Sequence, residues 1–185
     1  MQPPGRSVAL AVPLSDEAVR SVRCGDRVTL SGVVYTARDA AHKRMVEALE
    51  AGAELPFDPQ GQVIYYVGPT PPPPGKVIGA AGPTTSYRMD AYAPALYRAG
   101  VKATIGKGAR SDAVRQAIVE CTALYLAAIG GAGALLAQHV REAEVIAYPE
   151  LGPEAVQRLV VEDFPAIVVN DTMGDDLYLR TASAR

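Results

Sequence analysis

The stretch Gly82-Pro83-Thr84-Thr85-Ser86-Tyr87-Arg88-Met89-Asp90 lies between two patterns of different period. Before it runs Val77-Ile78-Gly79-Ala80-Ala81, a short apolar segment of strand character. After it Met89, Tyr92, Ala93, Leu96 and Tyr97 recur at helical spacing. Strand, Gly-Pro turn, three hydroxyl residues and helix make an α/β joint. Thr84, Thr85 and Ser86 can each cap the helix, whose first N–H groups are unpaired and partly positive. Anions bind well at such a place. Arg88, one turn beyond Thr84, adds a planar cationic fork suited to a carboxylate or phosphate. The alternative is an ordinary capped helix with Arg88 on its solvated face. Pro94 predicts a break or kink near Ala93.

Outward from this joint, strands and helices alternate. Ser7–Leu14 and Arg27–Tyr35 read as strands, the second bent at Gly32, with Val28 and Leu30 on one face. Ser15-Asp16-Glu17-Ala18 reads as a capped short helix or turn. Ala37-Arg38-Asp39 opens a helix whose Ala41, Met45, Ala48 and Leu49 form one stripe. Arg38 therefore sits at a strand-to-helix junction, either aimed at the sheet edge or salt-bridged to Asp39 or another acid. Gln62–Gly68 is a strand. The prolines of Pro69–Gly75 lack donors and predict a stiff loop.

Val101–Ile105 is the next strand, ending in Gly106-Lys107-Gly108, which is either a ligand-approaching loop or a plain glycine turn with an exposed lysine. A helix starts at Ser111 or Asp112. Thr122–Ile129 reads as a strand, Gly130-Gly131 as a turn and Ala132–Val140 as a small-residue helix with His139 capping its end. Val145–Ala147, Leu159–Val161 and Ala166–Asn170 read as strands, Glu162-Asp163-Phe164-Pro165 as a turn, and the tail to Tyr178 as turn then short strand. Asp171, Asp175 and Asp176 lack the spacing of a calcium loop. The alternation predicts α/β architecture, a compact mixed sheet or barrel flanked by helices, in a single domain over residues 1–185.

Composition narrows the function classes. Hydrophobic residues at 49% against 21% charged mark a globular chain. A net charge of −2, with no basic block and no tryptophan, gives no electrostatic case for nucleic acid. No apolar run is long enough for a bilayer, and Met1–Arg6 lacks the form of a signal peptide, so a cytoplasmic location is expected. Cys24 and Cys121 stand in no ligand spacing; two thiols cannot hold an iron–sulfur cluster unaided, and no metal site is expected. What remains is cationic. Arg38, Arg88 and Lys107 each follow a predicted strand, where α/β sheets assemble ligand sites. With the Thr84–Ser86 hydroxyls they outline a pocket for a small dicarboxylate. No base of ordinary pKa and no nucleophile with a partner histidine accompanies them.

These residues resemble the β subunit, or C-terminal domain, of class I iron–sulfur hydro-lyases, the fumarate hydratases and L-tartrate dehydratases. The matching pieces are Gly25-Asp26, Ala37-Arg38-Asp39 with His42, Gly82–Asp90, Gly106-Lys107-Gly108, Gly130-Gly131-Ala132, and Glu162-Asp163-Phe164-Pro165 with Asp171 and Gly174. They run in order from about Gly25 to Tyr178. The resemblance implies a swivelling β/β/α domain and a separate α subunit, whose three cysteines hold a [4Fe–4S] cluster, in a hetero-oligomer of two α and two β chains. It implies reversible hydration of fumarate to (S)-malate, with tartrate or a methylated fumarate as other substrates, or else a stand-alone diacid-binding domain. It places Arg38, Arg88 and Lys107 on substrate carboxylate and hydroxyl groups. Thr84 comes against the reacting carbon as acid/base candidate, with Thr85 and Ser86 either beside the substrate or capping the helix. An unassisted threonine is a poor base, so Thr84 is either activated by a carboxylate of the α subunit or positions a proton relay.

Overall fold

A computed structural model describes residues 5–129 and 131–182. The expectations for the first four residues and for Gly130 lie outside them. In chain order the elements are β1 (Ser7–Val12), α1 (Asp16–Ser21), β2 (Arg27–Thr36), α2 (Asp39–Glu50), β3 (Val63–Tyr65), α3 (Ala93–Ala99) and β4 (Ala103–Gly106). Then come α4 (Asp112–Glu120), β5 (Leu124–Ala127), α5 (Gly133–Ala137), β6 (Val140–Ala147), β7 (Val156–Asn170) and α6 (Leu177–Ala182). Short 3₁₀ turns cover Ser86–Met89 and Pro149–Glu154.

β1 to β5 pair in sequence order and all run parallel. β7 runs antiparallel to both β5 and β2, closing a five-stranded mixed barrel β2-β3-β4-β5-β7. The two long strands make this closure possible, because each changes partner along its other edge. β2 pairs β1 up to Gly32 and β3 from Tyr35, while β7 pairs β6 early and β5 late. Where they cross, Leu30 faces Phe164 but Gly32 faces Val161, so two residues of β7 oppose one of β2. Asp163 takes a left-handed φ of 49° there and its N–H donates to Ser31 Oγ at 3.0 Å. Such a bulge bends and twists a strand, as a small barrel requires.

Burial follows the period-two alternation. Val63 and Tyr65 join Val28, Leu30, Val34, Ile105, Leu126 and Phe164 in one core. Ile64 and Tyr66 point the other way, to Met45, Met89, Leu96, Tyr97, Val114 and Ile118 under the helices. No helix among the described residues is long and apolar enough to cross a membrane.

Several expectations are corrected. Val77–Ala81 is not a strand: β4 takes the edge of β3 directly, so the segment crosses as a loop, bonded to Thr70 and Gly133. Glu162–Pro165 is the bulged middle of β7 rather than a turn. The tail is helical, because Asp176 Oδ1 accepts from Tyr178 and Leu179 N–H and starts α6. α5 stops at Ala137, and Val140 begins β6. His139 caps no helix; its Nδ1–H donates across the sheet to Glu162 O at 3.0 Å.

Candidate active site

The Gly82–Asp90 segment is laid down by backbone pairing. Thr84 N–H donates to Tyr66 O at 2.7 Å, just past β3. Ser86 N–H donates to Lys107 O at 2.9 Å and Lys107 N–H to Thr84 O at 3.3 Å, with Thr85 and Lys107 bridged in parallel. The approach needs glycine at 106, since a Cβ there would lie 1.9 Å from Ser86 Oγ. Ser86 is buried and spent: its hydroxyl donates to Tyr125 OH at 2.9 Å, which donates to Gly108 O at 2.8 Å. Thr85 makes no side-chain cap bond, and Ser86–Met89 form only a four-residue 3₁₀ turn. The expected capped α-helix is therefore absent here; α3 begins only at Ala93, with Pro94 in its first turn. The cationic groups here are side chains.

Those side chains converge on one carboxylate. Arg88 Nε donates to Asp39 Oδ1 at 3.0 Å. Its Nη2 lies 2.8 Å from Oδ2, outside hydrogen-bond angles, so that contact is ionic. Arg38, immediately before α2, has Nε 4.0 Å from the same Oδ2 and Nη2 3.4 Å from Glu154 Oε1. Arg38 Nε is buried with no hydrogen bond. Gly68, past the end of β3, makes room: a Cβ there would stand 2.8 Å from Arg38 Nη1. Glu154 also accepts from Ala40 N–H at 3.1 Å, so the acid that pairs Arg38 holds the first turn of α2. Lys107 is exposed. Among these five side chains the cations Arg38, Arg88 and Lys107 outnumber the carboxylates Asp39 and Glu154 by one.

A buried network stands behind it. Arg110 has a fully buried side chain whose three nitrogens are all used. Nε meets Asp90 Oδ1 at 2.7 Å, Nη1 meets Thr104 Oγ1 at 3.0 Å, and Nη2 meets the Tyr66 hydroxyl at 3.4 Å. Its guanidinium carbon lies 5.3 Å from the Tyr66 ring centre and 4.8 Å from that of Tyr125. Burial opposes its charge, but Tyr66, Tyr97 and Asp90 outweigh that and its pKa rises. Asp90 Oδ2 accepts from Ser111 N–H at 2.6 Å. The end of the Arg-Met-Asp motif thus ties the Thr84–Arg88 turn to the Gly106–Ser111 loop. His42 is fully buried against Tyr66, and burial holds its pKa down to about 4 despite a bond to Arg38 O.

Arg38, Thr84, Thr85, Arg88 and Lys107 all lie at the end of the barrel where β2, β3 and β4 finish. Arg38 and Arg88 meet through Asp39, and the threonines meet Lys107 through the backbone. The sequence reading missed Glu154, which only strand order brings near, and treated Asp39 as a neighbour of Arg38 alone; the motif-ending Asp90 was the available signal for Arg110. A cluster does not fit this chain's thiols. Cys24 precedes β2 and Cys121 precedes β5, at the opposite end of the barrel, and burial pushes the Cys24 thiol up to about 11. Among the described residues no three His, Cys, Asp or Glu could share a metal ion.

Comparison with known proteins agrees with the resemblance. The family described as "Fumarase C-terminus" matches residues 2–181, further than the motif-bearing stretch. Fumarate hydratase class I, anaerobic, of Escherichia coli (strain K12) is 42% identical over 154 residues, covering 82% of this chain and 28% of that protein. Fumarate hydratase 2 of Leishmania major is 42% identical over 159 residues, covering 85% and 28%. A protein named as an L(+)-tartrate dehydratase subunit beta, of Methanocaldococcus jannaschii, is 37% identical over 171 residues, covering 89% of this chain and 88% of that one. The chain spans about 28% of the length of these two fumarate hydratases.

Proposed function

The chain belongs to the fumarase C-terminal family, and from that premise we propose that it is the β subunit of an iron–sulfur hydro-lyase that reversibly hydrates fumarate to (S)-malate. It supplies the carboxylate-gripping half of the active site. A companion α chain carries the [4Fe–4S] cluster, which supplies Lewis-acid chemistry toward the hydroxyl group. On this chain, Arg38, Arg88 and Lys107 offset the charge of the dianion. Their grip strengthens as one carboxylate gathers charge in the transition state, which is the part of binding that raises rate. Thr84 and Thr85 are held beside Lys107 by backbone pairing, with Thr84 the residue that moves a proton at the reacting carbon.

One observation carries this reading: Arg38 and Arg88 both lie against the carboxylate of Asp39, a proximity that supports a grip by both on one small ligand. The test is an anaerobic assay of the chain assembled with its iron–sulfur companion, offered fumarate, malate and L-tartrate in turn. Interconversion of fumarate and malate is the expected result. Turnover of tartrate alone moves the assignment to tartrate dehydration, a reading favoured by the subunit-length match to the Methanocaldococcus jannaschii protein. A complex inert toward all three, and toward a methylated fumarate as well, overturns the enzyme reading and leaves a diacid-binding domain.

A further inference from the structure

Arg88 lies within the Gly82–Asp90 motif and Arg110 pairs with its last residue, so each is held by an aspartate. Arg110 spends every nitrogen on buried partners, so it can bind nothing else. Arg88 spends two, both on Asp39, and its side chain remains 40% exposed. The gripped edge is Nε with Nη2, which leaves the Nη1 end of the planar fork directed away from Asp39. Asp39 is itself fixed: it is the first residue of α2, where a carboxylate is favoured, and α2 packs through buried Ala41, His42 and Met45. The second guanidinium refers to the same atom, because Arg38 Nε faces Oδ2 at 4.0 Å. One rigidly mounted carboxylate therefore sets both the aim of Arg88 and its separation from Arg38.

We propose that Asp39 is the positioning residue of the site, orienting Arg88 and spacing the two guanidiniums to fit a four-carbon dicarboxylate. This rests on the reading that Arg88 binds substrate. Asp39 makes no contact with the substrate and moves no proton. Its charge matters in a second way, since it repels the dianion and weakens its binding.

These two effects have opposite signs in the kinetics, which makes the role separable from a structural one. Asp39→Asn keeps size but loses the ionic clamp. In the assembled enzyme its kcat is expected to fall on the order of 10–100-fold, as for a misaimed binding group. KM for the dicarboxylate stays level or falls, because one negative charge has left the site, and the thermal midpoint holds. In an Arg88→Lys background, which has no Nε–Nη2 edge to grip, the same change costs at most a few-fold. Wild-type kcat in Asp39→Asn overturns the proposal, and so does a loss that persists undiminished beside Arg88→Lys. Should Asp39→Asn fold poorly, Asp39→Glu keeps the charge at the head of α2 but shifts the carboxylate by one methylene. It is expected to lose rate while staying folded, and full activity overturns the proposal. Arg88→Ala separates the two levels. If it is inactive beside a fully active Asp39→Asn, only the role of Asp39 fails; if it is active, the substrate-binding reading fails and this one with it.

Discussion

The two ends of the barrel use aspartate in opposite ways. At the end where β2 and β5 begin, Asp26 accepts from the N–H groups of Arg6 and Arg23 and from Arg6 Nη2. Asp171 accepts from the N–H groups of Cys24, Met173 and Asp175. Both are buried and take most of their bonds from backbone N–H groups, sewing the segment before β2 and the loop after β7 to the barrel floor. At the end where β2 to β4 finish, Asp39 meets two arginine side chains and no backbone donor among its bonds. A carboxylate closed on N–H groups holds chain in place; one set against guanidiniums with a free edge holds a tool. Gly25-Asp26 and Asp171 belong to the first kind although they are motif residues, and Arg38-Asp39 and Arg88 belong to the second.

Removing one group from each end tests that division. Arg88→Ala, at the open end, is expected to cost the assembled enzyme on the order of 10²–10³-fold in kcat/KM, about 3–4 kcal/mol. Its thermal midpoint should match wild type, because the pair it breaks is half exposed and adds little to stability. Steady-state kinetics and a melting curve on one preparation read both. Near-wild-type turnover would place Arg88 outside the site. Asp171→Ala should show the reverse pattern. Three N–H groups at the closed end lose their acceptor, at a cost on the order of 2–3 kcal/mol by urea unfolding. Whatever enzyme stays folded should keep its KM. A raised KM at full stability would erase the distinction between the ends.

Much of this arrangement was legible in the sequence because it is local. The run Gln62–Gly68 reads as a strand, and its core Val63–Tyr65 is one, while Gly32 marks the bend in β2. A cation follows two of the parallel strands, Arg38 after β2 and Lys107 after β4, and parallel strands end together; Arg88, expected after a strand at Val77–Ala81, instead arrives on a loop bonded back to Tyr66 and Lys107. What was not legible depends on which edges are free. Val77–Ala81 has strand composition but no edge to pair with once β4 lies against β3. Glu162–Pro165 has turn composition, yet the bulge opposite Ser31 carries it through as strand. Glu154 reaches Arg38 because β7 returns antiparallel beside β2, a pairing that no window of sequence contains. The hydroxyl of Ser86 looked free for a ligand, and only the approach of Tyr125 from β5 shows that it is not.

The smallest expected effect separates packing from function within the open end itself. His42 lies behind Arg38, and its Nδ1 sits 2.9 Å from Arg38 O. A carbonyl can only accept, so Nδ1 carries the hydrogen and the neutral ring presents a bare Nε2, buried without a hydrogen-bond partner. Burial favours that neutral form and outweighs the bond to Arg38 O; Arg110 adds to it and Asp39 opposes it, leaving a pKa of about 4. The unfolded chain titrates near the usual value of about 6.5. Below that pH the unfolded state takes up a proton that the folded state refuses, so stability falls as pH drops from about 6.5 toward 4. Between pH 7 and pH 5 the loss should approach about 2 kcal/mol, read from urea unfolding at the two pH values. His42→Gln should lose stability overall yet show little of this slope. An equal slope in both proteins would mean that His42 takes up its proton while folded. The backing of Arg38 would then be open to water, and the two ends of the barrel would differ in access as well as in what their aspartates hold.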